Sequence, residues 1–104
     1  MEPEVVFAPE ARDDILELYD YIAAQAGPER ARSYTERIVF YCRGFSTFPR
    51  RGTRRDDLRP GLRVIGFERR VTIAFHVTAD KVIIDRILYG GRDLGSALAS
   101  DRSG

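Results

Sequence analysis

PEARDDILELYDYIAAQAGPERARSYTERIVFYCRGF, from Pro9 to Phe45, contains two apolar stripes of helical period separated by a Gly-Pro step. In the first stripe Ile15, Leu18, Tyr19, Ile22 and Ala26 recur at the spacing of one helix face. In the second, Ala31, Tyr34, Ile38, Tyr41, Cys42 and Phe45 do the same. Gly27 supplies the left-handed conformation common just past a helix, and Pro28 stops one helix while favouring the start of the next. The segment therefore predicts two antiparallel helices joined by a tight turn. Glu10, Asp13 and Asp14 fall in the opening turns, where negative charge suits the positive end of the helix dipole. Cys42, among Ile38, Tyr41 and Phe45, reads as a small buried hydrophobe and not as a nucleophile.

Upstream, Val5 to Phe7 forms a short apolar run closed by Pro9, the pattern of a first strand. Downstream, residues 49 to 61 combine Pro49, Gly52, Pro60 and Gly61 with Arg50, Arg51, Arg54, Arg55 and Arg59, which predicts an irregular basic loop. Leu62 and Val64, then Val71, Ile73, Phe75 and Val77, alternate as two strands. With Glu68 and Arg69 as the turn, Leu62 pairs with Phe75 and Val64 with Ile73, which puts Arg63 on the face away from the helices. Val82 to Tyr89 is apolar on both faces, the mark of a central strand. Whether Asp85 or Arg86 points to the helix layer stays open, because a bulge or a one-residue shift exchanges them. The expected fold is α+β: a short N-terminal strand and an α-helical hairpin packed on one face of a mainly antiparallel three- to four-stranded sheet, in the order β-α-α-β-β-β. Residues 1–95 form one domain, residues 96–104 a flexible tail, and the second sheet face is left open.

A chain of 104 residues excludes a two-domain enzyme. The net charge of +1 hides an asymmetry: residues 1–29 carry one arginine against eight carboxylates, and residues 43–70 nine arginines against three. One cysteine forbids an internal disulfide, and Glu2 and Glu4 stand where a secretory signal needs basic residues, so a cytoplasmic location is expected. No apolar run is long enough to span a membrane. One histidine and one cysteine, 34 positions apart, make no metal-ligand cluster, and no phosphate-loop or dinucleotide fingerprint is present, so no cofactor is expected.

The short strand, Pro9-Glu10-Ala11, the helical hairpin, Leu-Arg-Pro-Gly-Leu-Arg at 58–63 and Arg-Ile-Leu-Tyr-Gly-Gly-Arg-Asp-Leu at 86–94 together resemble the ParE branch of the RelE/ParE toxin superfamily. The likeness covers residues 4–95. It implies the toxin of a type II toxin-antitoxin pair, forming a hetero-oligomer with a ParD-like ribbon-helix-helix antitoxin that alone contacts DNA. It also implies DNA gyrase as the target, poisoned without enzymatic action by the toxin. Arg50, Arg51, Arg54, Arg55, Arg59, Arg63, Arg86 and Arg92 are the candidates for antitoxin or target contact, with no catalytic residue. The alternatives are a RelE-like ribosome-dependent mRNA endoribonuclease using His76, Arg86 and Tyr89, and a non-toxic binding module of the same fold. Replacing Arg59 and Arg63 by glutamate is expected to weaken binding without unfolding the domain.

Overall fold

Gly27 does double duty at the hairpin turn. Its φ of 99° is a conformation that side chains disfavour, its N–H donates to the Ala23 carbonyl at 2.9 Å, and its own carbonyl accepts the Ala31 N–H at 3.2 Å. One residue thus closes the helix α1 (Pro9–Ala26) and opens the helix α2 (Pro28–Arg43). This computed structural model describes residues 2–101. A strand β1 (Glu4–Phe7) precedes the hairpin; a single 3₁₀ turn (Gly44–Ser46), then β2 (Thr53–Arg54), β3 (Arg63–Phe67), β4 (Val71–Val77), β5 (Lys81–Tyr89) and α3 (Leu94–Asp101) follow it.

The strands form one sheet in the order β1-β5-β4-β3-β2. It has five strands instead of three or four, and it is mixed: β1 lies parallel to β5, and the other neighbours are antiparallel. Pairing with β1 on one side and β4 on the other makes β5 central along its first half, which explains its apolar residues on both faces. β2 escaped the sequence reading because only two residues pair.

The helical hairpin covers one face. Leu18, Ile38, Cys42 and Phe45 meet Ile73, Phe75, Val82, Ile84 and Ile87 in the main core. Phe45 and Phe75 are fully buried with ring centroids 4.8 Å apart, a contact that adds to their area burial by about 0.5–1.5 kcal/mol. Burial pushes the Cys42 thiol up to about 12, so it stays protonated and packs as a hydrophobe.

Two expectations about the sheet are corrected. Glu68 and Arg69 do form the turn, both with positive φ, but Arg70 is an extra residue before pairing resumes at Phe67 opposite Val71. The register is therefore one residue away from the expected one, with Arg63 opposite Phe75, and a one-residue shift exchanges the faces of a whole strand. Ile65 and Phe67 pack with the helix-side core, while Leu62 and Val64 join Ala74 on the other face.

That other face is not open. Residues 94–101, partly assigned to a flexible tail, form α3, and Leu94 and Leu98 pack with Leu58, Leu62, Val64 and Ala74. Asp93 starts this helix by accepting the Ser96 hydroxyl at 2.6 Å and the Ser96 and Gly95 N–H groups at 3.3 Å. Those bonds hold its carboxyl below the usual range. The expected tail beyond Asp101 lies outside the described residues.

Candidate functional site

Asp85 and Arg86 occupy the one irregularity between β4 and β5. Ala74 pairs with Arg86 and Phe75 with Ile84, so Asp85 is the extra residue of a bulge. The bulge lets two consecutive charges separate Ile84 from Ile87 while both isoleucines stay in the main core.

Arg86 is 8% exposed and Asp14, on α1, 3%. The guanidinium meets the carboxylate through two contacts of 2.8 Å, Nε to Oδ2 and Nη2 to Oδ1, the bidentate geometry that makes such pairs strong. Asp14 Oδ2 also accepts the Ile87 N–H at 2.8 Å, a backbone donor beyond the part of β5 that β1 pairs. On its remaining side Arg86 Nη1 donates to the Ala97 carbonyl at 3.0 Å and to Asp101 at 3.1 Å, which pins α3 to the sheet. Asp14 holds the Arg86 guanidinium firmly protonated. Asp14 is thus a buried structural partner and not only a carboxylate placed for the helix dipole.

The second polar cluster is His76, Asp85 and Arg59. His76 Nδ1 lies 2.7 Å from Asp85 Oδ2, and Arg59 Nη1 is 3.9 Å from Asp85 Oδ1. Burial nevertheless raises the Asp85 carboxyl above its ordinary value, outweighing the hydrogen bond from His76 and the charge of Arg59, with Asp101 adding to the rise. A carboxyl raised by folding binds its proton more readily in the native state. Its ionised form therefore costs stability at neutral pH, a cost that fades as pH falls through the folded-state value. Asp85→Asn keeps an acceptor for the imidazole and removes the charge. Its melting temperature is expected to equal or exceed that of the parent at about pH 8, the difference shrinking towards about pH 4. A lower value at the alkaline end, measured by circular dichroism, would show that the ion pairs outweigh the burial.

The structure separates the other candidate arginines by what they already hold. Arg51 is fastened inward, with Nε to the Phe48 carbonyl at 2.8 Å, Nη2 to the Gly44 carbonyl at 3.1 Å, and its guanidinium 4.7 Å from the Phe45 ring centroid. Arg63 Nη1 donates to the carbonyls of Arg50 and Arg51 at 3.0 and 3.3 Å. Arg54 pairs with Asp56, and Arg55 grips Asp57 bidentately at 3.0 and 2.9 Å. Two loop arginines are therefore paired with the loop's two aspartates and two more have donors taken by neutral carbonyls, which leaves the loop positive, and Asp56 stitches it further by accepting the Gly61 N–H at 2.8 Å. Arg50 and Arg92 are exposed and have no side-chain partner among the described residues. Of the eight candidates, Arg86 is buried, and Arg63 bridges two carbonyls that a glutamate there would face, so part of any effect of Arg63→Glu is expected to come from the loss of those bonds.

What sequence reading passed over is an apolar groove. Phe40 on α2 is 81% exposed, and Leu16 on α1 and Phe48 are also exposed. On one side of Phe40 a groove of about 610 Å3 is lined by Arg37, Tyr41, Arg51, Phe67 and Glu68, and on the other a smaller one of about 270 Å3 by Ile15, Thr35, Val39 and Arg43. The signal was present: Phe40 lies off the buried stripe of α2, where an aromatic has no core to fill. Next to the larger groove, β3 pairs with β2 only at Arg63 and Val64, so its outer edge from Ile65 to Phe67 has no strand partner among the described residues.

His76, Arg86 and Tyr89 do not converge. His76 stands opposite Ile83 on the face away from the hairpin, whereas Tyr89 packs with Tyr21 and Tyr34 of the hairpin, and Arg86 is enclosed by Asp14 and α3. Among the described residues there is no group of three or more metal-ligating side chains, and no helix long and apolar enough to cross a membrane.

The family described as the ParE toxin of type II toxin-antitoxin system, parDE, matches residues 5–94. The chain belongs to the ParE toxin family. Among solved structures it is similar to a chain of the chromosomal ParDE toxin-antitoxin system from P. aeruginosa, with a TM-score of 0.75 and 24% identity over 86% of this chain and 97% of that one. No curated protein matches. The shared fold is the mixed sheet under a helical hairpin, and the stretch 86–94 has structural roles in it: Arg86 braces α1 against α3, Tyr89 joins the hairpin, and Asp93 caps α3.

Proposed function

We propose that this ParE-family chain acts as a toxin on DNA gyrase and is held inactive by a ParD-like antitoxin seated on the hairpin and the free edge of β3. The observation that carries the antitoxin seat is Phe40: a large aromatic left in water between two grooves is the kind of anchor that dominates interface energetics. The unpaired edge of β3 beside it offers main-chain groups to an extended segment, and the neighbouring Arg50 and Arg51 favour acidic side chains on that segment.

Gyrase is preferred over messenger RNA because a cut-down ribonuclease site would need His76, Arg86 and Tyr89 together, whereas Tyr89 packs with the hairpin on the face opposite His76 and the Arg86 guanidinium is already taken by Asp14, Asp101 and the Ala97 carbonyl. The reading is tested by incubating purified toxin with gyrase and plasmid, with and without the antitoxin. The expected result is loss of supercoiling or trapped plasmid cleavage, relieved by antitoxin. Unimpaired supercoiling alongside cleavage of mRNA on translating ribosomes would replace it with the ribonuclease reading. Growth unaffected by toxin expressed alone would replace it with the inert binding module.

A further inference from the structure

At the closed end of the hairpin, where α1 and α2 meet the β3–β4 turn, lies a cleft of about 580 Å3. Its lining includes three tyrosines, Tyr21, Tyr34 and Tyr89, and three arginines, Arg30, Arg37 and Arg70, against a single carboxylate, Glu68. Arg37 is already used: it pairs with Glu68 at 2.6 Å and lies 5.1 Å from the Tyr34 ring centroid. Arg30 and Arg70 are exposed and have no side-chain partner among the described residues, so the cleft keeps a local excess of positive charge.

The tyrosines divide their roles in the same way. Tyr34 and Tyr89 meet edge to face at 6.3 Å and are half-buried. Tyr21 tilts against Tyr89 at 5.8 Å but remains 54% exposed, which leaves much of its ring uncovered. The Tyr34 hydroxyl is shielded from solvent and has no hydrogen-bond partner among the described residues. Such a group is costly in a folded protein unless something completes it. Burial, together with Glu68 and Tyr89, pushes its phenol up.

We propose that this cleft binds a nucleoside phosphate. Arg30 and Arg70 take the phosphate, and the free part of the Tyr21 ring stacks on the base. A bare inorganic anion would use the arginines alone and leave a cleft of small-molecule size and its aromatic wall unoccupied. The same chemistry occurs in a free mononucleotide and at the phosphorylated 5′ end of a strand. The inference stands apart from the gyrase and antitoxin reading, although Ser33, Arg37 and Glu68 border both this cleft and the groove beside Phe40.

The test is calorimetric titration of the full chain with adenosine 5′-monophosphate, adenosine, inorganic phosphate and a 5′-phosphorylated oligothymidine. The nucleotide is expected to bind about tenfold or more tightly than either of its halves. Arg30→Ala and Arg70→Ala are each expected to weaken it by about tenfold. Tyr21→Ala is expected to weaken binding of the nucleotide while leaving that of inorganic phosphate unchanged, a split that a purely structural role for the ring does not give. Tighter binding of the oligothymidine supports the proposal with a strand end as ligand, and tighter binding of the mononucleotide supports it with a free nucleotide. Absence of binding by both at millimolar concentration, phosphate binding as well as the nucleotide, or indifference to loss of both arginines would overturn it.

Discussion

Asp14→Ala is expected to lower the unfolding free energy by about 3–5 kcal/mol, the range for stranding a buried charge. The substitution removes both 2.8 Å contacts to Arg86 and the acceptor of the Ile87 N–H, leaving a guanidinium in an almost dry site with only the Ala97 carbonyl and Asp101. Urea unfolding measures it directly, with exposed Glu17→Ala on the same helix as a control expected to stay within about 0.5 kcal/mol. A loss below about 1 kcal/mol for Asp14→Ala would mean that water or rearrangement resolvates Arg86. Against a typical domain stability of about 5–15 kcal/mol, the expected loss removes a large share of what keeps the chain folded. It follows that loss of toxicity on replacing Arg86 would report on folding first, because this arginine is engaged by its own chain before any partner is considered.

The hairpin was legible because two independent signals agreed on it, the apolar period of residues 15–45 and the Gly27-Pro28 punctuation. The central position of β5 was legible for a comparable reason, since a strand apolar on both faces has only one comfortable place. The register of β3 was not, because Glu68-Arg69 marks the turn without saying that Arg70 is left over, and that residue decides which face Arg63 occupies. Nor was α3. Leu94, Ala97 and Leu98 stand among Gly95, Ser96, Ala99 and Ser100, a composition that reads as coil, and the helix is specified instead by the Asp93 cap and the reach of Arg86. The arginines of residues 50–63 show a related limit: sequence counts the charges, but only the fold shows that Asp56, Asp57 and several backbone carbonyls already hold most of them.

The proposed seat puts apolar contact ahead of charge, and Phe40→Ala is the variant that weighs it. With an antitoxin seated as proposed, truncating this side chain empties the contact between the two grooves, and affinity is expected to fall by about 30- to 1,000-fold, the effect of a strong interface anchor. Folding should hardly notice: the side chain is 81% exposed, and alanine is the better helix former, so the melting temperature should stay level or rise slightly. Arg50→Ala, at an exposed and unpaired charge, should instead slow association and flatten its salt dependence while changing affinity little. The two variants separate the candidate driving forces in one titration series. If Phe40→Ala binds antitoxin as tightly as the parent and Arg50→Ala does not, the partner is held by the charge asymmetry of the chain, and the outer face of the hairpin is not its seat. If the anchor dominates, the arginine-rich loop acts mainly as a braced wall of the larger groove, with Arg51 clamped over Phe45 to keep that wall in place.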